Sequence, residues 1–144
     1  MPIIARSALV SHSASEMYQL VLDIESYPAF LPWCQAASVA EQDDMQQLAS
    51  LTMDQRMRGT RFTTRNRLEE NQTISMQLVE GPFKRLSGVW RFKAIEDAAC
   101  RVELEMNFEF KSRLFAALMG PAFSKICDTM VAAFVKRADI VYPA

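Results

Sequence analysis

The stretch from Ser112 to Val141 constrains the fold most, because its apolar residues repeat with the period of one long helix. Large apolar side chains recur mostly at steps of three, four or seven, at Phe115, Leu118, Met119, Phe123, Ile126, Met130, Phe134 and Val141. A helix of this length, roughly 40 Å at 1.5 Å per residue, would cross a domain of this size from end to end. The rest of the chain must therefore supply a surface that covers its apolar face.

Gly120-Pro121 interrupts this predicted helix. Because proline lacks a backbone donor and clashes with the preceding turn, we expect a sharp kink or a one-residue break near Gly120. Leu114 to Met119 would then form a separate first segment. Two interpretations stay open, a simple bend in a core helix and a hinge over the mouth of a cavity.

Composition indicates one globular domain over residues 1–144, with half of the residues hydrophobic and 23% charged. A net charge of −1 argues against a protein that holds nucleic acid by bulk charge alone, and we expect no DNA partner. We expect neither a signal peptide nor a membrane span. The three cysteines lack CxxC spacing, which is typical of reduced thiols in a cytoplasmic protein.

Before the long helix, the pattern changes from helical to strand-like. Ile3 to Val10 is a predicted strand, and Ser13 with Glu16 forms a predicted capping box for a short helix. A second short helical turn lies around Pro28 and Pro32. Six further strands are predicted, over Trp33–Gln42, Gln47–Gln55, Thr60–Leu68, Thr73–Glu80, Leu86–Ile95 and Arg101–Lys111.

This order of elements predicts an α+β fold, a seven-stranded antiparallel sheet curved around the long C-terminal helix, with two short helices after the first strand. Gly88, inside a strand, is a predicted bend point. Because a curved sheet and a straight helix do not fill space perfectly, we expect a cavity between them.

Catalytic chemistry has little support in the sequence. His12 is the one histidine, and no histidine or cysteine pattern typical of a zinc site is present. The four glycines form no phosphate-binding loop. The expectation is therefore a protein that is not an enzyme and that holds neither a metal nor a cofactor.

Two apolar clusters have a structural and a functional interpretation. One contains Tyr27, Phe30 and Trp33 around the twin prolines, and the other runs from Gly81 to Phe92. They either pack in the core or line the mouth of a cavity that receives an apolar ligand. Thr64 and Asn66 are predicted to point inward, where water or the polar head of a ligand would satisfy them.

Five arginines lie close together without an acid among them, at Arg56, Arg58, Arg61, Arg65 and Arg67. One interpretation is a solvated outer sheet face with cross-strand partners, as Arg91 and Lys93 would have in Glu103 and Glu105. The other is a patch that binds lipid headgroups or RNA phosphates.

The chain resembles the coenzyme Q-binding protein family, which includes bacterial ribosome-association toxins. The resemblance rests on Tyr27-Pro28, Phe30-Leu31-Pro32-Trp33-Cys34, the segment Gly81-Pro82-Phe83-Lys84 with Leu86, Gly88, Trp90 and Phe92, and the helix ending around Phe134 and Arg137. It implies a START-like, helix-grip fold of the polyketide cyclase and lipid-transport superfamily. It also implies that ubiquinone or a related isoprenoid lipid binds in a hydrophobic tunnel and that respiratory electron transport is supported without turnover.

We therefore expect a lipid ligand held by twelve apolar side chains. The entrance residues would be Tyr27, Phe30, Trp33, Phe83, Leu86 and Trp90, and the tunnel residues Phe62, Met76, Phe108, Phe115, Met119 and Phe123. A second hypothesis is a ribosome-binding regulator that blocks subunit joining by placing the five arginines on phosphates of the large subunit. A third is a cyclase or aromatase. The expected location is the cytoplasm, with transient contact to the surface of the inner membrane.

Overall fold

A single curved sheet and one long helix form the body of the protein, and the computed structural model describes residues 3–143. The elements in chain order are β1 (Ile3–Val10), α1 (Ala14–Leu22), a first 3-10 helix (Ile24–Ala29), β2 (Cys34–Gln42), β3 (Gln46–Met53), a second 3-10 helix (Gln55–Met57), β4 (Arg61–Glu69), β5 (Thr73–Glu80), β6 (Phe83–Glu96), β7 (Ala99–Phe110) and α2 (Arg113–Val141). The predicted α+β helix-grip architecture is confirmed.

The seven strands form one antiparallel sheet in the order β1-β7-β6-β5-β4-β3-β2. Strands β2 to β7 follow the chain, and β1 joins the sheet beside the last strand. The alternation of buried side chains with more exposed ones is strictest in β7, where Val102, Leu104, Met106 and Phe108 are buried. This apolar face is the one that α2 covers.

Gly88 serves close packing rather than a register change. It pairs with Met76 on β5 and Met106 on β7, and a Cβ atom added to it would overlap the sulfur of Met106 and the terminal methyl carbon of Met76. The register shifts of β6 against β7 lie near the two ends of the strand instead. A glycine at this position therefore makes room for two long, flexible side chains.

Helix α2 runs without interruption from Arg113 to Val141, so the predicted one-residue break at Gly120 is wrong. Pro121 and Ala117 both lie on the exposed side of the helix. The backbone hydrogen bond that Pro121 cannot donate to the carbonyl group of Ala117 is therefore lost on the solvent side, where water can satisfy that carbonyl group.

The side chain of Ser112 accepts a hydrogen bond of 3.1 Å from the backbone N–H of Phe115 and thereby caps the start of α2.

The predicted apolar face of α2 is also partly wrong, because Leu118 and Val141 are exposed. By length and composition alone, α2 is apolar enough to cross a bilayer, as the core helices of many globular proteins also are, and the expected absence of a membrane span stays a prediction. In this fold its buried side is the core contact of the sheet, with Phe134 and Ala138 completely covered.

The N-terminal segment is fixed to both α2 and the sheet. The Ser13–Glu16 capping box is present, which confirms the predicted start of α1. Nε2 of His12 lies 2.8 Å from Oδ1 of Asp139 and joins the end of β1 to the end of α2. The hydroxyl of Tyr27 donates a 2.6 Å hydrogen bond to the backbone carbonyl oxygen of Val21, which holds the first 3-10 helix against α1.

Candidate functional site

The first of two aromatic clusters between sheet and helix surrounds Phe123 of α2. Its ring centroid lies 4.8 Å from that of Phe108, 5.1 Å from Phe83, 5.8 Å from Phe110 and 6.4 Å from Phe62. Phe115 extends the cluster toward the start of α2 through a 5.3 Å contact with Phe110. Most of these pairs are edge-to-face or tilted, the arrangements that aromatic rings prefer. We call this the Phe123 cluster.

The second cluster surrounds Phe134, about 16 Å further along α2 at 1.5 Å per residue. Its ring lies 5.2 Å from those of Tyr27 and Phe30, and 5.1 Å from Trp90. The guanidinium of Arg137 lies 5.0 Å from the ring centroid of Phe30, a cation–π contact on the half-buried edge of the cluster. We call this the Phe134 cluster.

The six predicted entrance residues do not form one group in the structure. Tyr27, Phe30 and Trp90 belong to the Phe134 cluster, whereas Phe83 belongs to the Phe123 cluster. All of the six except the half-buried Phe30 are buried, including Trp33 and Leu86.

Four of the six predicted tunnel residues do lie together. They are Phe62, Phe108, Phe115 and Phe123, all members of the Phe123 cluster. Met119 is buried on α2, and Met76 is half-buried beside Gly88. Two central rings, Phe110 and Phe134, were missing from the predicted ligand set, although the apolar periods of their strand and helix placed both inward.

Two open clefts flank the start of α2 and reach the Phe123 cluster. One, of about 480 Å³, is lined by Phe108, Phe110, Ala116 and Gly120 among others. The other, of about 630 Å³, is lined by Leu78, Phe83 and Phe115 among others. Solvent therefore reaches the edge of the Phe123 cluster at the half-buried Phe115, while Phe83 and Phe108 behind it are buried and packed. Ligand binding by the twelve side chains stays a prediction.

A chain of buried polar groups crosses the inner face of β3 and β4. The hydroxyl of Thr64 donates to Oδ1 of Asn66 at 2.8 Å, and Nδ2 of Asn66 donates to Oε1 of Gln47 at 2.8 Å. Nε2 of Gln47 donates to the backbone carbonyl oxygen of Leu22 at 2.9 Å. The inward direction of Thr64 and Asn66 is confirmed, and protein groups satisfy them, with Gln47 as the partner that the sequence did not indicate.

The cysteine thiols are poor candidates for nucleophilic chemistry. All three are buried and free. Burial raises the pKa of Cys34 to about 11 and that of Cys127 to about 12, so the reactive thiolate is scarce near neutral pH.

The outer face of β4 carries a row of exposed arginines, Arg61, Arg65 and Arg67, which we call the arginine strand. Their cross-strand partners on β3 are uncharged, namely Thr52, Leu48 and Gln46. On β5, Arg65 and Arg67 lie opposite Gln77 and Ser75. Nη1 of Arg65 donates to Oε1 of Gln46 at 2.9 Å.

Within residues 3–143, neither the arginine strand nor Arg58 forms an ion pair with a carboxylate. Arg56 differs, because it pairs with Asp54 at 2.9 Å.

The other half of the same sheet face is neutralised by ion pairs. Arg91 lies 3.9 Å from Glu105, and Lys93 lies 3.3 Å from Glu103, as the sequence predicted. Cross-strand pairing therefore explains Arg91 and Lys93 of β6 but leaves the arginines of β4 without an equivalent partner. The outer face is divided into a charge-paired half and a half with uncompensated positive charge.

Comparison with known proteins connects this arrangement with a family. Residues 10–135 match the family described as polyketide cyclase/dehydrase and lipid transport. The ribosome association toxin RatA of Escherichia coli is 44% identical over 144 residues, which cover all of this chain and 91% of that protein.

A mitochondrial coenzyme Q-binding protein of Xenopus laevis is 27% identical, over 96% of this chain and 58% of that protein. Among solved structures, the Zhui aromatase/cyclase from a Streptomyces species superposes with a TM-score of 0.84 at 15% identity, over 96% of this chain and 93% of that one. At that identity the likeness concerns the fold alone.

Proposed function

Because the chain belongs to the polyketide cyclase/dehydrase and lipid transport family and, within it, to the group of RatA proteins, we propose that it is a ribosome-binding regulator. The proposed partner is the large ribosomal subunit in the cytoplasm, and the proposed effect is to hinder subunit joining. The name of the Escherichia coli relative, which matches over the whole chain, supports association with ribosomes.

The observation that carries the proposal is the arginine strand. The guanidinium groups of Arg65 and Arg67 project from alternate positions of β4, about 7 Å apart at 3.3 to 3.4 Å per residue, and that of Arg61 lies four residues earlier, about 13 Å from Arg65. The spacing of about 7 Å is similar to that of successive phosphates along a nucleic acid backbone, and about 13 Å is close to twice that spacing. Guanidinium groups bind phosphate oxygens through paired N–H donors, and here no carboxylate of the described residues competes for them.

Salt dependence distinguishes this interaction from an apolar contact. Each neutralised phosphate releases counterions, so the logarithm of the binding constant falls with the logarithm of the salt concentration by about 0.7 to 0.9 per contact. Loss of three contacts should therefore make the slope shallower by about two to three.

The experiment is co-sedimentation of the protein with purified large subunits over a series of salt concentrations. The test variant replaces Arg61, Arg65 and Arg67 by glutamine. The control variant replaces Arg91, Lys93 and Arg101 by glutamine, which removes the same charge from the ion-paired half of the same face.

We expect weaker binding and a shallower salt slope only for the test variant. Equal loss in both variants would indicate a bulk charge effect. Absence of binding by the unaltered protein would contradict the proposed function.

A second candidate function is binding of a ubiquinone-like isoprenoid lipid without turnover. The two clefts beside the Phe123 cluster favour it, because they open next to apolar rings of the kind that such a tail would contact. The distant coenzyme Q-binding relative supports the same ligand class.

The matched variants Phe115→Ala and Phe30→Ala test this second candidate. Both rings are half-buried, but Phe115 lines a cleft and belongs to the Phe123 cluster, whereas Phe30 lies in the Phe134 cluster. In native mass spectrometry with an added short-chain quinone, we expect only Phe115→Ala to lose bound ligand. Loss in Phe30→Ala alone would place the entrance at the other cluster, and no uptake by the unaltered protein would exclude the ligand class.

A further inference from the structure

The start of α2 carries two exposed leucines that the proposed function does not use. The side chains of Leu114 and Leu118 are 70% and 53% exposed. Residues four apart are neighbours on a helix surface, so the two leucines form one apolar patch. The patch faces away from the buried Met119 and Phe123 of the same helix. It is therefore not part of the core.

Three cations lie at the same end of α2 as this patch, with Arg113 next to Leu114 in the chain. Lys84, Lys111 and Arg113 all line the smaller cleft beside α2. None of the three forms an ion pair with a carboxylate in the part of the chain from residue 3 to residue 143. The one carboxylate that lines this cleft, Glu109, lies 3.3 Å from Arg85 and is thereby partly neutralised. We call Leu114, Leu118, Lys84, Lys111 and Arg113 together the α2 tip.

Charge is segregated between the two ends of the sheet, which the net charge of −1 conceals. The α2 tip lies at the end that also contains the second 3-10 helix, the β5–β6 turn and the start of β4. The cations of this end are Arg56, Arg58, Arg61, Lys84, Arg85, Lys111 and Arg113, with Asp54, Glu80 and Glu109 as its acids. The three turns at the opposite end carry Asp43, Asp44, Glu69, Glu70, Glu96 and Asp97, and no lysine or arginine. An anionic surface would therefore attract the α2 tip and repel the opposite end.

We propose that the α2 tip docks on the surface of an anionic lipid bilayer. Exposed leucines gain free energy by leaving water for the acyl boundary, and the cations of the α2 tip gain from the negative lipid headgroups. A nucleic acid would satisfy the cations but would leave both leucines in water. The combination of an apolar patch and unpaired cations at one end of α2 therefore favours a bilayer over RNA at this site.

Docking in this orientation would bring the mouths of both clefts to the lipid surface. Both clefts lie directly beside the first turns of α2 and reach Phe110 or Phe115. The docking surface does not depend on ribosome binding, because the arginine strand lies on the outer face of β4 rather than on α2.

The test is sedimentation of the protein with lipid vesicles. The vesicles contain phosphatidylglycerol and phosphatidylcholine mixed at about three to seven, and a second preparation contains phosphatidylcholine alone. Because each lysine or arginine near an anionic leaflet contributes about a fivefold factor in affinity, replacing Lys84, Lys111 and Arg113 by glutamine should weaken binding about 100-fold. Replacing Leu114 and Leu118 by glutamine should weaken it about tenfold.

Matched controls exist at the far side of the molecule. Leu9 and Ile140 are 69% and 63% exposed, so Leu9→Gln/Ile140→Gln removes the same kind of surface leucine or isoleucine elsewhere. Lys93→Gln/Arg101→Gln/Lys136→Gln removes three exposed cations away from the tip. We expect both controls to bind the anionic vesicles as the unaltered protein does, and all variants to keep their melting temperature.

Three results of the vesicle experiment would overturn the proposal. They are no binding of the unaltered protein to anionic vesicles at low salt, equal loss of binding in tip and control variants, and binding to phosphatidylcholine alone that is as strong as to the anionic mixture. Large-subunit co-sedimentation of the same variants separates the two proposals. If the tip variants lose ribosome binding but keep vesicle binding, the tip is an RNA contact and the membrane proposal is wrong.

Discussion

Replacing Phe123 by alanine tests whether the interior between sheet and helix is a packed core or an open chamber. The ring is 2% exposed and lies within 4.8 to 6.4 Å, centroid to centroid, of four other phenylalanine rings. Transfer of a buried phenylalanine to water costs about 1.5 to 3 kcal/mol, and the cavity left by its removal adds to that cost. We therefore expect Phe123→Ala to lower the free energy of unfolding by about 3 to 5 kcal/mol.

The matched control is Leu118→Ala on the same helix. The apolar period placed Leu118 on the same buried face as Phe123, but the structure leaves it 53% exposed. We expect its replacement to change stability by no more than about 0.5 kcal/mol. Urea denaturation followed by circular dichroism gives both values, with the urea slope checked for constancy between variants. A loss below about 1.5 kcal/mol for Phe123→Ala would show that the surrounding rings are loosely packed, and a larger loss for Leu118→Ala would refute the assigned helix face.

Three further expectations follow from buried or paired groups. Asn66→Leu should lower the free energy of unfolding by about 2 to 4 kcal/mol, because it leaves the buried polar groups of Gln47 and Thr64 without a partner; urea denaturation measures this value. A double Gln47→Leu/Asn66→Leu variant should cost less than the sum of the single changes, and strict additivity would refute the network. Cys127, with its pKa raised to about 12 by burial, should react with a thiol reagent at mildly alkaline pH only after denaturant is added, and fast reaction in the native protein would contradict its burial. The pKa of Glu103 is lowered, chiefly by a hydrogen bond from Arg101. The ionised carboxylate therefore stabilises the fold above its ordinary pKa of 4.5, and this contribution is lost as the pH falls below that value. Melting curves of Glu103→Gln should accordingly show a weaker acid destabilisation than those of the unaltered protein.

Local patterns were sufficient for most of the fold. Alternation in β7 and the Ser13–Glu16 capping box depend on interactions within a few residues, and both were found as predicted. The long helix was also predicted with nearly its observed ends, Ser112 serving as its cap. Its continuity through Pro121 was not, because whether a proline breaks a helix depends on which side of the helix faces water.

In the candidate site, too, some features were predicted from the local sequence and others depend on the tertiary structure. The inward direction of Thr64 and Asn66 followed from strand phase, but their partner Gln47 comes from the neighbouring strand and is fixed by the β3–β4 register. The arginine cluster was visible in the sequence, yet the lack of carboxylate partners for Arg61, Arg65 and Arg67 depends on which strands flank β4. The grouping of aromatic residues into two clusters was likewise invisible, since it depends on how Phe123 and Phe134 project from α2 into the sheet.

By itself the sequence determined the kinds of element, their order and the inward or outward phase of most strand side chains, because periods of two and 3.6 are properties of the local backbone. Only the tertiary structure decided which side chains of different elements lie next to one another. It set Lys84 beside the start of α2 and left Leu114 and Leu118 uncovered at one end of the sheet. These juxtapositions join residues far apart in the chain, and contacts of that kind are fixed by strand register and packing rather than by any local preference.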